Sequence, residues 1–223
     1  FNKPMAYHGG LQKYFQRAES SSFFGREIGN MYTHAHLRYA EALWRYGDAE
    51  RFYEALAQAI PINLQEQVAV AVRRQANCYY SSSDASFDDR YQAHDDYGRA
   101  VAGEIPLEGG WRVYSSGAGI ALGLILRGFL GLRTTHSHLI IDPVMPHALD
   151  GLRVEMDVVG NRFDITYRVG TRGSGLLALT LNHTPLPFER LLNPYRNGGG
   201  EVSLALFKEA LIADVNWLSI EVG

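Results

Sequence analysis

The stretch that decides the fold is Leu152–Val169, which has the sequence LRVEMDVVGNRFDITYRV. Apolar and polar residues alternate in both of its halves. Because side chains of a β-strand point alternately to the two faces of a sheet, each half predicts a strand with one buried face. Gly160-Asn161 between the halves is typical of a tight hairpin turn. The stretch therefore predicts an antiparallel β-hairpin.

The chain around this hairpin has the same strand-like character. From Leu139 onward the hydrophobic period changes from helical to alternating. Further strands are predicted at Leu139–Ile141, Leu176–Leu181, Glu201–Phe207 and Trp217–Val222, and Asn193–Gly200 is predicted to be a loop. We therefore expect a β-sandwich domain over residues 136–223.

The chain before residue 136 is predicted to be helical. A first helix starts near Met31 and ends at Gly47, and its apolar residues recur at one-face spacing: Tyr32, Ala35, Tyr39, Ala42, Leu43 and Tyr46. A second helix buries Phe52, Ala55, Leu56 and Ala59 and ends before Pro61. Two antiparallel helices with a short connection form the repeating unit of α/α barrels. Leu64–Val72 is expected to add a further short helix, and we assign residues 1–135 to this helical part.

Composition excludes some classes of function. Lys plus Arg number 21 against 24 Asp plus Glu, a formal net charge of −3, and a nucleic-acid-binding protein would show a basic excess. The single cysteine, Cys78, excludes an internal disulfide framework and fits a reducing compartment, so we expect a cytoplasmic protein. The apolar run Ile120–Leu132 is too short to span a bilayer and contains Arg127. Since the chain starts with Phe1 and has no signal-peptide core, we expect it to be a piece of a longer chain.

Two clusters of metal-ligand residue types are interpreted without a metal. The aspartates between Asp84 and Asp96 follow no regular ligand spacing, and we predict a solvated acidic loop there. His136 and His138 lack a third and fourth ligand at a suitable spacing, so a zinc site is not predicted.

The first candidate site is the stretch Gly25–His36, GREIGNMYTHAH, at the entry of the first helix. It combines a cation, a carboxylate and two imidazoles with residues that cap helices and tolerate unusual backbone angles. Such a turn allows Glu27 and His34 to face one small polar ligand together. The alternative is a capped core helix in which His34 is hydrogen-bonded inside the protein.

The second candidate site is Trp111–Gly119, WRVYSSGAG, directly before an apolar helix. Small residues at a helix entry leave the first backbone N–H groups accessible, and such an N-terminus attracts anions. The hydroxyl of Ser116 adds a donor for a phosphate oxygen. The alternative is that Ser116 only caps a buried helix and that the glycines permit close packing.

These two stretches together resemble the inverting sugar phosphorylases related to cellobiose phosphorylase, glycoside hydrolase family 94. That family carries a Lys-Glu-Asn-Gly-Gly segment followed four residues later by a phosphate-binding histidine, which corresponds here to Arg26–Asn30 and His34. Its phosphate-binding Thr-Gly pair is similar to Ser116-Gly117. The spacing agrees more closely than the residue identities. The amino-acid sequence of the two stretches is more similar to cellobionic acid phosphorylases and to the phosphorylase-like part of cyclic β-glucan synthases. The resemblance covers only the C-terminal part of such enzymes.

The resemblance implies a segment of an inverting glycosyl phosphorylase, a glycosyltransferase that splits a β-linked glucosyl disaccharide with phosphate to α-glucose 1-phosphate. A cellobionic-acid-like substrate is the first expectation, and a β-1,2-glucan in a cyclic glucan synthase-like protein is the alternative. His34, Ser116 and Gly117 would bind phosphate, and Arg26 and Glu27 would contact the sugar. The general acid would lie upstream of this chain, so no catalytic residue is assigned within it.

The same resemblance implies the surroundings of the site. The fold would be the end of an α/α-barrel catalytic domain followed by a jelly-roll-like β-sandwich. Inorganic phosphate would be a co-substrate, with no cofactor and no metal. The partners would be the remaining N-terminal part of the enzyme and a second copy in a homodimer, with no nucleic acid and no membrane. A hydrolase and a non-catalytic carbohydrate-binding or structural fragment remain as alternatives from other classes.

Overall fold

The computed structural model describes residues 33–60, 69–73, 84–85, 87–109 and 117–223. The chain divides into two compact units. The first comprises Phe1–Tyr39 and Ala55–Leu122, and the second comprises Ala40–Glu54 and Gly123–Gly223. None of the helices in the described ranges is long and apolar enough to cross a membrane.

The described helices are α1 (Thr33–Tyr46), α2 (Ala49–Ala59), α3 (Arg90–Asp95), α4 (Tyr97–Val101), α5 (Ala118–Leu124) and α6 (Leu204–Glu209). A π-helical turn, Ile125–Phe129, continues α5, and a 3₁₀ turn covers His147–Leu149. The described strands are β1 (Ala71–Arg73), β2 (Asp84–Ala85), β3 (Leu107–Gly109), β4 (Leu132–Thr134), β5 (His138–Ile141), β6 (Arg153–Val158), β7 (Asn161–Val169), β8 (Leu176–Leu181), β9 (Thr184–Pro185), β10 (Glu189–Arg190), β11 (Gly200–Ser203) and β12 (Asn216–Val222).

The second unit contains two sheets that share one hydrophobic core. One sheet has the strand order β10-β11-β5-β4 and is antiparallel throughout. The other has the order β6-β7-β12-β8-β9, in which β12 pairs parallel with β7. The core draws residues from both sheets, including Leu139, Ile141 and Val202 from the first and Phe163, Ile165, Leu179 and Ile220 from the second. In the first unit, β1 and β2 both pair with β3. The fold is thus mixed α/β, with sheets of mostly antiparallel strands.

The hairpin predicted from Leu152–Val169 is confirmed. β6 pairs antiparallel with β7, and the predicted inward residues of β7 are all buried. The turn itself lies one residue earlier than predicted, because Val158 pairs with Asn161 and the central residues are Val159 and Gly160. Both have positive φ, 52° and 76°, as a type I′ turn requires. The Asn161 amide donates to the Val159 carbonyl and supports this turn.

The second helix is confirmed with its predicted face. Phe52, Ala55, Leu56 and Ala59 are all buried in α2. Gly47 ends α1 with a φ of 89°, and its N–H donates to the Leu43 carbonyl at 2.8 Å, which is the predicted glycine cap.

The predicted face of the first helix is wrong except at Leu43, which is buried as predicted. Tyr39 and Tyr46 are 52% and 63% exposed, whereas α1 buries Thr33, Leu37, Ala40 and Leu43. Residues 33, 37 and 40 follow the same i, i+4, i+7 spacing as the predicted stripe, so periodicity alone does not separate the two faces. The face with the leucines is the buried one, because leucine is fully apolar whereas an exposed tyrosine can keep its hydroxyl in water.

Three further predictions are corrected. The predicted strand Glu201–Phe207 ends at Ser203 and continues as α6, whose Phe207 is buried and stacks on Phe163 with ring centroids 5.7 Å apart. A short apolar run does not distinguish a strand from a helix.

Ala71 and Val72, predicted to end a helix, lie in β1, and the rest of the predicted segment Leu64–Val72 lies outside the described residues or in a turn. The predicted acidic loop contains α3, because the Asp89 carboxylate accepts from two backbone N–H groups and starts this helix.

Candidate functional site

His34 lies in the first turn of α1 and is half-buried. It belongs to the first unit, as does Gly117. Gly117 is buried and directly precedes α5, and its carbonyl accepts the first helical hydrogen bond from the Ala121 N–H at 3.0 Å. The helix predicted to follow the Ser116-Gly117 pair is therefore present and starts at Ala118.

Three of the predicted site residues, Arg26, Glu27 and Ser116, lie outside the described residues. The convergence of His34 and the Ser116-Gly117 turn on one phosphate stays a prediction. That Arg26 and Glu27 contact the sugar substrate also stays a prediction.

His36, the second imidazole of the first stretch, joins the two helices of the hairpin. Its Nε2 lies 2.6 Å from the carbonyl oxygen of Ala55 in α2, so Nε2–H donates to that carbonyl. Burial lowers the pKa of His36, and the hydrogen bond to Ala55 opposes part of that shift. A half-buried ring that donates to a backbone carbonyl of the neighbouring helix fits a structural role for His36.

The His136-Ser137-His138 segment leads into β5. The Ser137 hydroxyl lies 2.8 Å from Nδ1 of His138. In the part of the chain that the structure describes, no group of three or more His, Cys, Asp or Glu residues is placed to hold a metal ion.

A buried ion pair in the second unit was missed by the sequence analysis. The Arg196 guanidinium donates to both carboxylate oxygens of Asp142, at 2.7 and 2.8 Å, and the two side chains are 6% and 18% exposed. Arg196 also donates to the Trp44 carbonyl, and the Asn193 amide donates to the Arg45 carbonyl. Both side chains bond to carbonyls in the last turn of α1, where the helix dipole also favours the cation of Arg196. No local sequence pattern could have shown this, because Asp142 and Arg196 are 54 residues apart.

The loop that contains Asn193 and Arg196 borders a cleft of about 620 Å³. Its walls are the C-terminal end of α1 (Tyr46 and Gly47), Arg172, Ser174 and residues 193–197. Residues 193–200 were predicted from the sequence to be a loop, with no function, and the loop is confirmed up to the start of β11. We call this feature the α1-loop cleft.

Comparison with known proteins defines the class. Residues 131–220 match the family model described as glycoside phosphorylase C-terminal domain. The resemblance to sugar phosphorylases is thereby confirmed, and residues 131–220 are similar to that domain family.

One known protein is similar to nearly the whole of this chain. Over 220 residues, 99% of this chain, the sequence is 41% identical to a 1,2-beta-oligoglucan phosphorylase of Listeria innocua serovar 6a. The chain spans 19% of the length of that protein, about a fifth. The similarity therefore runs through both units and beyond the 131–220 segment.

Proposed function

We propose that this chain is the C-terminal portion of an inverting glycoside phosphorylase that acts on β-1,2-linked glucan oligosaccharides. The observation that carries the proposal is the 41% identity over 99% of the chain to a 1,2-beta-oligoglucan phosphorylase. The identity extends over the stretches around His34 and Gly117, on which the resemblance rested. It favours the β-1,2-glucan alternative over the cellobionic-acid-like substrate.

Phosphorolysis with inversion needs an acid on the leaving oxygen and a nucleophile on the opposite face of the sugar. In a hydrolase a second carboxylate activates water, whereas here an anion site would hold phosphate in that place. His34 and the N–H groups after Ser116-Gly117 are proposed to form this anion site. Glu27 would accept hydrogen bonds from sugar hydroxyls and Arg26 would donate to them. The acid is proposed to lie in the part of the protein upstream of this chain.

We also propose the domains to which the two parts of this chain belong. The α1–α2 hairpin is proposed to belong to an α/α-barrel catalytic domain, and the two sheets with their common core to a jelly-roll-like sandwich. The shared core of the two sheets supports the second assignment. Assembly as a homodimer and a cytoplasmic location are proposed from the resemblance and from the single cysteine.

The test uses the full-length protein with β-1,2-linked gluco-oligosaccharides and inorganic phosphate. We expect release of α-glucose 1-phosphate, and no turnover when phosphate is left out. Turnover without phosphate would identify a hydrolase instead. Turnover of cellobionic acid in preference to β-1,2-glucan would restore the first expectation for the substrate, and no turnover of either would favour a binding or structural role.

Glu27→Gln in the same protein tests the assignment to the sugar. Loss of a carboxylate acceptor should raise the KM for the sugar acceptor in the synthetic direction far more than the KM for phosphate. Equal losses for both would contradict the assignment.

A further inference from the structure

We propose that the α1-loop cleft binds a neutral oligosaccharide. Its residues are not among those predicted to bind phosphate or the reacting sugar. The cleft is formed entirely within the second unit, and its volume of about 620 Å³ lies within the roughly 300–1,000 Å³ typical of small-molecule sites.

Two tyrosines supply the apolar contacts. Tyr46 and Tyr195 are 63% and 66% exposed, so their rings are not needed to fill the core. Their ring centroids lie 6.4 Å apart at an interplanar angle of 43°. Both tyrosines line the cleft, and an amphipathic ring suits a sugar, which has both C–H faces and hydroxyl groups.

Polar groups around the tyrosines match the hydroxyl groups of a sugar. Arg172 is exposed and forms no hydrogen bond or ion pair with another of the residues that the structure describes. Its guanidinium offers five N–H donors. Ser174 and Asn197 add a hydroxyl and an amide to the lining. Arg196 is already neutralised by Asp142, and among the residues that the structure describes Arg172 has no ion-pair partner. A lining with so little uncompensated positive charge favours a neutral ligand over a polyanion.

The cleft is held in shape before any ligand binds. The Asn193 side chain accepts from the Tyr195 N–H at 2.9 Å and donates to the Arg45 carbonyl, which ties the loop to the end of α1. The Arg196–Asp142 pair anchors the same loop to the end of β5. A preformed site loses less conformational entropy on binding, so a few contacts suffice for measurable affinity.

The test is retention of the full-length protein in native gels that contain linear β-1,2-glucan, the linkage being chosen on the basis of the proposed function. We expect Tyr195→Ala and Tyr46→Ala to weaken the apparent affinity by about two- to tenfold each. Tyr91→Ala is the matched control, because Tyr91 is 61% exposed and lies on α3, outside the cleft. Phosphorolysis of the shortest accepted oligosaccharide should be unchanged in the Tyr195→Ala variant.

The outcomes separate this proposal from the proposed function. Unchanged retention of both cleft variants in an active phosphorylase would overturn the cleft proposal alone. Loss of retention in Tyr195→Ala but not in Tyr91→Ala, in a protein without phosphorolysis, would support the cleft while the proposed function fails. Equal loss in Tyr195→Ala and Tyr91→Ala would also overturn the proposal. If inorganic phosphate displaces the glucan from the wild-type protein but not from Arg172→Ala, the cleft is an anion site and the proposal is wrong.

Discussion

Arg196 and Asp142 form a two-pronged ion pair in the interior of the second unit, with both N–O distances under 3 Å. The pair connects the loop before β11 to the residue that follows β5. Because Arg196 also donates to the Trp44 carbonyl, one side chain links both of these segments to the end of α1. Removal of either partner should lower the free energy of unfolding strongly, because the charge of the other partner would stay buried without compensation.

Asp142→Ala should lower the free energy of unfolding by about 3–5 kcal/mol, because Arg196 would remain buried and unpaired. Chemical denaturation followed by fluorescence measures this. The matched control is Glu155→Ala, which removes the partner of Arg162 in a pair that is 73% and 67% exposed. That change should cost less than about 1 kcal/mol. Similar losses in both variants would show that the Arg196 pair is not effectively buried.

Tyr167→Phe should lower the free energy of unfolding by about 1–3 kcal/mol. The Tyr167 ring is fully buried in β7, and its hydroxyl donates to the Leu130 carbonyl at 2.8 Å. Phenylalanine fills the same space but leaves that carbonyl without its donor. Tyr195→Phe, a change at an exposed ring, serves as the control and should have almost no effect on stability.

Tyr167 should also make stability fall at alkaline pH. Burial raises the pKa of Tyr167, so the unfolded chain loses this proton first, from about pH 10 upward. The wild-type protein should therefore lose stability as pH rises above about 10, and Tyr167→Phe should lose less over that range. Parallel pH profiles of the two proteins would contradict this reading.

His36 should make stability fall in mild acid. Because burial lowers the pKa of His36, the unfolded chain takes up this proton before the folded chain does. Stability from this group is present above about pH 6.5 and is lost as pH falls through the lowered folded-state pKa. His36→Gln keeps a donor for the Ala55 carbonyl but does not titrate, so its profile should be flatter below pH 6.5. A profile of His36→Gln that runs parallel to the wild-type profile would contradict the assignment to His36.

Gly131→Ala should be much more destabilising than Gly160→Ala. Both glycines have positive φ, 71° and 76°, so each substitution carries the backbone cost of about 1–2 kcal/mol. At Gly131 an added Cβ would also overlap the Pro143 backbone, whereas at Gly160 it would meet open space. Thermal unfolding of the two variants compares the costs, and equal shifts would show that the Gly131 approach is looser than the structure describes.

His34→Ala in the full-length protein tests the anion site. Loss of a charge-assisted hydrogen bond should raise the KM for phosphate roughly 10- to 100-fold, while the fold stays intact. His136→Ala changes an exposed histidine next to β5 and is the control. An unchanged phosphate KM in His34→Ala would favour the alternative of a hydrogen-bonded core histidine.

The sequence alone determined the elements whose pattern is local. Alternation predicted β6 and β7 with their buried face, because a strand with one buried side repeats every two residues. The spacing of Phe52, Ala55, Leu56 and Ala59 predicted the face of α2, and Gly47 predicted the end of α1. These features depend on residues within a few positions of each other. The phosphorylase relationship also rested on short motifs and was confirmed.

Only the tertiary structure decided the features that join distant residues. Two stripes of α1 have equivalent spacing, and packing selected the one with Leu37 and Ala40. Ser203 ends a strand and Phe207 lies in a helix because Phe207 stacks on Phe163 in the core. Asp142 meets Arg196, and Tyr46 meets Tyr195, across long sequence separations. Such pairings are set by how whole elements pack, because the buried area and hydrogen bonds that select them exist only once the sheets and helices are together.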